Sequence, residues 1–113
     1  MSENKTDKNS EYVVFYITAQ GMVEANQIAM ALVNERLAAC VNIIPQVHSF
    51  FWWEGKIDNA YESMLIGKTD TDKIGAIKKR VKEIHSYDVP EIIFLPITAG
   101  YEPYLNWIKR SIS

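Results

Sequence analysis

A single cysteine, five glycines and four prolines are all that this 113-residue chain carries of those residue types. The lone thiol, Cys40, excludes an intrachain disulfide and any cysteine-rich zinc module. Long hydrophobic runs are missing: no apolar stretch approaches membrane-spanning length, and no signal-type segment opens the chain. The expected address is therefore cytoplasmic. An excess of charge is missing too. Twelve Lys+Arg stand against 14 Asp+Glu, a formal net charge of -2, so nothing draws the chain generally to nucleic acid or anionic membrane. What is present, 48% hydrophobic and 23% charged residues, is the composition of one soluble globular domain.

Residues 1–11 (MSENKTDKNSE) hold one apolar side chain and read as a disordered tail ahead of a single domain over 12–113. From Tyr12 the pattern switches. Tyr12–Thr18 is β-branched and aromatic, which marks a strand. Gly21 ends it, and a helix follows over about Met22–Arg36, with Ala25, Ile28, Ala29 and Leu32 on one face. Ala39–Ile44 is a second strand, broken at Pro45 and resumed over Val47–Trp53. Glu54-Gly55-Lys56 reads as a hairpin turn, and a returning strand covers much of Lys56–Lys68. Thr71 is placed to cap a helix to about Ile84, Ile92–Leu95 is the last strand, and Pro103 opens a terminal helix.

That order is the β-α-β-β-α-β plan of a ferredoxin-like α+β sandwich, with a long bent β-hairpin and one extra C-terminal helix. Both main helices of the plan lie on one face of an antiparallel sheet, and a face open to water should read polar. It does not. Tyr12–Ile17 is apolar or aromatic throughout, Ile92–Leu95 is unbroken, and Phe50-Phe51-Trp52-Trp53 is four aromatics in succession. Monomers rarely expose patches of that size, so an obligate oligomer is expected, with Phe50, Phe51 and Trp52 at the interface.

Five segments carry a family resemblance: Leu37-Ala38-Ala39-Cys40-Val41-Asn42, Trp53-Glu54-Gly55-Lys56, Leu65-Ile66-Gly67-Lys68-Thr69, His85-Ser86-Tyr87-Asp88-Val89-Pro90-Glu91 and Tyr104-Leu105-Asn106-Trp107-Ile108. In this order and spacing, over about residues 12–110, the chain resembles the CutA family of divalent-cation tolerance proteins. The resemblance implies a compact homotrimer, similar in architecture to PII-type signal proteins, and an association with metal tolerance, usually copper. Some members carry a second cysteine in the first strand, where this chain has Tyr16-Ile17-Thr18. Gly67 stands where a β-branched residue or leucine is usual, which implies a bulge or a close backbone approach.

Two constellations follow. Cys40 is the soft ligand, suited to copper or zinc, and His85 is the histidine with a motif around it. Two ligands are too few for a closed site, so Glu62, Glu91 or an adjacent subunit would have to complete it. No metal is obligatory; copper or another divalent cation is the candidate. The second constellation is a cleft, where the resemblance places Trp53, Lys68, His85 and Tyr87 near the subunit boundary, with Cys40 close by; Glu62 is counted in its lining. Lysine and histidine among aromatic walls suit a small anion, unless Lys68 and Glu62 form a structural ion pair. A PII-like ligand-sensing or scaffold trimer is thus the alternative to a metal-binding one. The helix near Thr71–Ile84 carries Lys73, Lys78, Lys79, Arg80 and Lys82, but no RNA-recognition run accompanies them. No G-x-S-x-G, H-E-x-x-H or phosphate loop occurs, so no enzymatic activity is expected.

Overall fold

The structure, a computed structural model, describes residues 11–113. The expected tail therefore lies outside the described residues except for Glu11, whose carbonyl accepts the Thr71 N–H at 2.9 Å. The elements are β1 (Tyr12–Ala19), α1 (Met22–Asn34), β2 (Cys40–Trp53), β3 (Lys56–Asp70), a 3-10 turn (Thr71–Lys73), α2 (Ile74–Ile84), β4 (Ile92–Pro96) and α3 (Glu102–Ser111). The strands form one sheet in the order β2-β3-β1-β4, and every neighbouring pair is antiparallel. This is the expected α+β plan with its appended helix.

The two faces of the sheet are set by alternation along β1. Val13, Phe15 and Ile17 point one way and are buried. On that face Phe15 and Ile17 meet Leu65 of β3, Ala25, Ile28 and Leu32 of α1, and Ile77 and Val81 of α2. An exposed pair, Arg80 to Glu35 at 3.0 Å, joins the two helices at their outer surfaces. Gly67 sits opposite Phe15 in an unbroken register, so the reading of a close approach holds and the bulge does not. A Cβ built at Gly67 would overlap the Phe15 ring.

The other face carries Tyr12, Val14, Tyr16 and Thr18, and α3 covers one end of it. Ile108 and Ile112 pack with Ala39, Tyr12 and Leu105. Lys109 reaches Asp70 at 3.1 Å and Glu11 at 2.7 Å, which holds its ammonium protonated far above neutral pH. Beyond α3 the face is bare: Ile44, Ile93 and Leu95 are 42%, 48% and 40% exposed.

Three local details differ from the sequence reading. First, β2 runs through Pro45 without a break. The register instead slips between Ile44 and Val47, and the Pro45 carbonyl freed by the bulge accepts from Ser63 Oγ at 2.7 Å. Second, Asp70 rather than Thr71 caps the turn into α2, accepting the Asp72 N–H at 3.0 Å. Third, α1 stops at Asn34 because Arg36 takes a left-handed φ of 61° and Leu37 N–H returns to the Leu32 carbonyl. The Arg36 guanidinium donates to the Ser111 carbonyl at 2.9 Å, tying the end of α1 to the end of α3.

The hairpin closes on Glu54 and Gly55, both with positive φ (50° and 79°), the primed turn that matches strand twist. Its register sends Phe51 and Trp53 to the side of Ile44 and Met64, while Phe50 and Trp52 face the opposite way. All four aromatics are exposed, Trp52 by 74%.

Gly67→Ala should cost about 1–3 kcal/mol, because the Phe15 ring has to leave its rotamer to admit one methyl group. Urea unfolding checks this, and an unchanged midpoint would contradict the packing described.

Candidate functional site

The expected site residues fall into two separate clusters and one outlier. Cys40 opens β2 directly opposite Lys68 of β3, which in turn pairs with Val14 of β1. The Cys40 thiol is partly buried, and its Sγ lies 3.6 Å from the Tyr104 hydroxyl, carried there by α3. The contact with Cys40, aided by burial, pushes the Tyr104 phenol up to about 12. It stays protonated at neutral pH, and either the phenol or the thiol can be the donor across this contact. Lys68 Nζ donates to Asn42 Oδ1 at 2.6 Å, so Lys68 does not pair with Glu62.

The second cluster forms around His85, where α2 ends. Its buried ring donates from Nε2 to the Thr18 carbonyl at 2.7 Å, and Nδ1 accepts the Tyr87 N–H at 3.0 Å. A carbonyl accepts and an amide N–H donates, so the ring is the neutral tautomer with its proton on Nε2. Both nitrogens are engaged. The Tyr87 ring packs against His85 with centroids 4.7 Å apart, and its hydroxyl donates to Glu62 Oε2 at 2.8 Å. Burial first, then the bond to Glu62 and the charges of Glu62 and Glu24, push the Tyr87 phenol up to about 12.

Glu24 of α1 completes this cluster. Its carboxylate accepts the Gln20 N–H at 2.8 Å and the Ser86 N–H at 2.6 Å, and lies 3.8 Å from His85 Nδ1. Burial pushes its pKa up, but the hydrogen bonds from Gln20 and Ser86 outweigh that and hold it below its ordinary 4.5. The segment after α2 is thus clasped to α1 and β1 by hydrogen bonds.

Thr18 and Val14 lie four residues apart on β1, about 13 Å of strand, so the His85 and Cys40 clusters sit at different levels of the sheet. Trp53 sits at the hairpin tip opposite Lys56, six residues of β3 from Glu62, or about 20 Å. Within one chain, then, Glu62, His85 and Tyr87 meet, Cys40 and Lys68 meet, and Trp53 meets neither group. No three His, Cys, Asp or Glu side chains converge on a metal-sized site among the described residues.

Residues 13–111 match the family model of the CutA1 divalent ion tolerance protein. The chain belongs to that family. It is 46% identical to the divalent-cation tolerance protein CutA of Archaeoglobus fulgidus, over 86% of this chain and 94% of that one. It is 43% identical to a chloroplastic CutA 1 of Oryza sativa, over 88% of this chain but only 56% of the rice protein's length. Among solved structures, the periplasmic divalent cation tolerance protein CutA of A. fulgidus superposes with a TM-score of 0.88, covering 90% of this chain and 99% of that one. CutA1 of Oryza sativa does so at 0.88 and 42% identity, covering 90% and 94%. CutA relatives are named for tolerance of divalent cations and not for a reaction. No helix among the described residues is long and apolar enough to cross a membrane.

Family motifs mark Cys40, Lys68, His85 and Tyr87, yet three contributing side chains escaped the sequence reading. Tyr104 lies in a motif without any sign of its partner. Asn42 stands beside Cys40 in sequence but is assigned to Lys68 only by strand register. Glu24 lies 61 residues before His85 and looks like any exposed helix-start carboxylate. The one available signal for it was its place in the first turn of α1.

Because the folded pKa of Glu24 is depressed, its contribution to stability is complete above pH 4.5 and is lost as pH falls through the lower folded value. Glu24→Gln should lower stability at pH 7 by about 1–2 kcal/mol and flatten the acid limb of the stability curve below pH 4.5. Denaturant titrations at stepped pH read both effects; parallel acid limbs in the two proteins would overturn the assignment.

Proposed function

We propose that the chain serves divalent-cation tolerance, copper foremost, as a cytoplasmic, non-enzymatic homotrimer whose subunits close their bare sheet faces on one another. The observation that carries this reading is that face, with Ile44, Ile93 and Leu95 open and Phe51 and Trp53 continuing it along the hairpin. Apolar surface of that extent is the mark of an interface. Residues 12–113 act as one folding unit in this reading. Phe50 and Trp52, on the opposite side of the hairpin, wrap the neighbouring subunit.

Cys40 supplies the soft thiolate that selects copper. His85 belongs to another level of the chain and holds two hydrogen bonds, so a site using both draws them from neighbouring subunits and breaks one of those bonds. Copper binding must displace the thiol proton, and affinity therefore weakens as pH falls. Competition against a chelator tests the assignment: Cys40→Ala should lose at least about tenfold in copper affinity. His85→Gln tests the shared site in the same way. Unchanged affinity in both would leave Cys40 a packing thiol. Ile93→Asp should split the trimer, since it buries an unpaired charge at a cost of several kcal/mol; light scattering showing an intact trimer would contradict the face-to-face assembly.

A second reading is a PII-like trimer that senses a small ligand in the cleft around Glu62 and Tyr87. It is favoured by a polar cluster that has too few ligands for a metal yet is built to hold Tyr87 in place.

A further inference from the structure

A cavity of about 410 Å³ opens where the end of α1, the start of β2 and the end of α3 come together. Val33 and Asn34 of α1 line it, with Arg36, Ala38 and Ala39 of the connection to β2 and Ser111 of α3. Its size falls within the roughly 300–1,000 Å³ of small-molecule sites. Ala38 packs in the core beneath α1 and Ala39 in the one beneath α3, so the floor is apolar and fixed. None of the lining residues belongs to the Cys40 or Tyr87 clusters, or to the bare sheet face proposed as the interface.

Arg36 is the second, independent observation. Its φ of 61° is left-handed, and outside the hairpin turn no other non-glycine residue among those described has a positive φ. Glycine or asparagine is usual at such a helix end, because a Cβ there is strained. Strain of this kind clusters at ligand sites, where the side chain offsets it. The fold draws little on Arg36 in return: Nη1 donates to the Ser111 carbonyl at 2.9 Å. Its Nε and Nη2 have no partner among the described residues, and neither has the Asn34 side chain. The adjacent carboxylate, Glu35, is held by Arg80 at 3.0 Å. A guanidinium with one free edge and its full charge thus stands beside an apolar floor.

We propose that this cavity binds an aliphatic monocarboxylate. The Nε–Nη2 edge of the guanidinium matches the two oxygens of a carboxylate. The Asn34 amide adds a donor, and Val33, Ala38 and Ala39 take the hydrocarbon. One negative charge is favoured over two, because α1 and α3 both end at the cavity and helix C-termini carry partial negative charge. An amine is repelled by Arg36. A divalent cation finds no carboxylate, imidazole or thiolate in the lining.

A free acid and the C-terminal leucine of a polypeptide present the same group, so calorimetry on the full chain should use isocaproate and N-acetyl-leucine. Tighter binding of the first identifies a free acid and tighter binding of the second a chain terminus; either supports the proposal. Acetate has the charge without the hydrocarbon body, and isohexylamine has the body with the opposite charge. Each should bind at least about tenfold more weakly. Arg36→Gly suits the left-handed turn, and Val33→Asp places a like charge at an exposed position of the wall, so both variants should fold. Each should weaken the better acid by about tenfold or more. Acid binding equal in wild type and both variants would overturn the proposal, as would inorganic phosphate binding more tightly than both acids. Binding of neither acid would also overturn it and leave Arg36 a tie between two helix ends.

Discussion

A four-stranded sheet has two faces, and this chain supplies two helices for one of them. Everything else follows from how the second face is handled. Phe15, Ile17 and Leu65 can be fully buried because α1 and α2 lie over them. Their alternates along the strands, Tyr16, Ile66 and Ile93, have only the short α3 nearby, and α3 reaches one end alone. At roughly 25 cal/mol per Å² of apolar surface, leaving such a face in water forfeits several kcal/mol in a domain whose net stability is of that order. In the proposed assembly copies of the same chain are the cover, with one surface of each subunit set against a different surface of the next around the ring.

The two candidate clusters are placed by the same sheet. Cys40 sits under α3, where Tyr104 shields the thiol and Lys109 and Arg36 pin the helix that carries the phenol. The Tyr87 cluster sits at the far end, past the reach of α3, on the face left open. The Cys40 contact and the Tyr87 cluster are therefore separated by about four residues of strand within one subunit.

Much of this was legible in the residues. Unbroken β-branched and aromatic runs gave the strands, helical spacing gave the buried stripes of α1 and α2, and the doubly apolar strands announced an uncovered face. What stayed hidden depends on register and on polar partners distant in sequence. Pro45 looked like a strand break, but β2 is an edge strand, where a missing N–H is tolerated and a bulge takes up the slip. Arg36 looked like the last residue of a helix; its left-handed turn is held by Ser111, 75 residues later. A structural ion pair between Lys68 and Glu62 was one of two readings left open by the residues. The pleat puts them on one face, but six residues apart, and each finds a closer partner in Asn42 or Tyr87.

The central claim, that copies of the chain close the open face, is tested most directly by sedimentation equilibrium of the unmodified protein from micromolar down to nanomolar concentration. The account predicts one species with three times the chain mass across the whole range, because an interface built like a core does not loosen on dilution. A monomer persisting at micromolar concentration would contradict it.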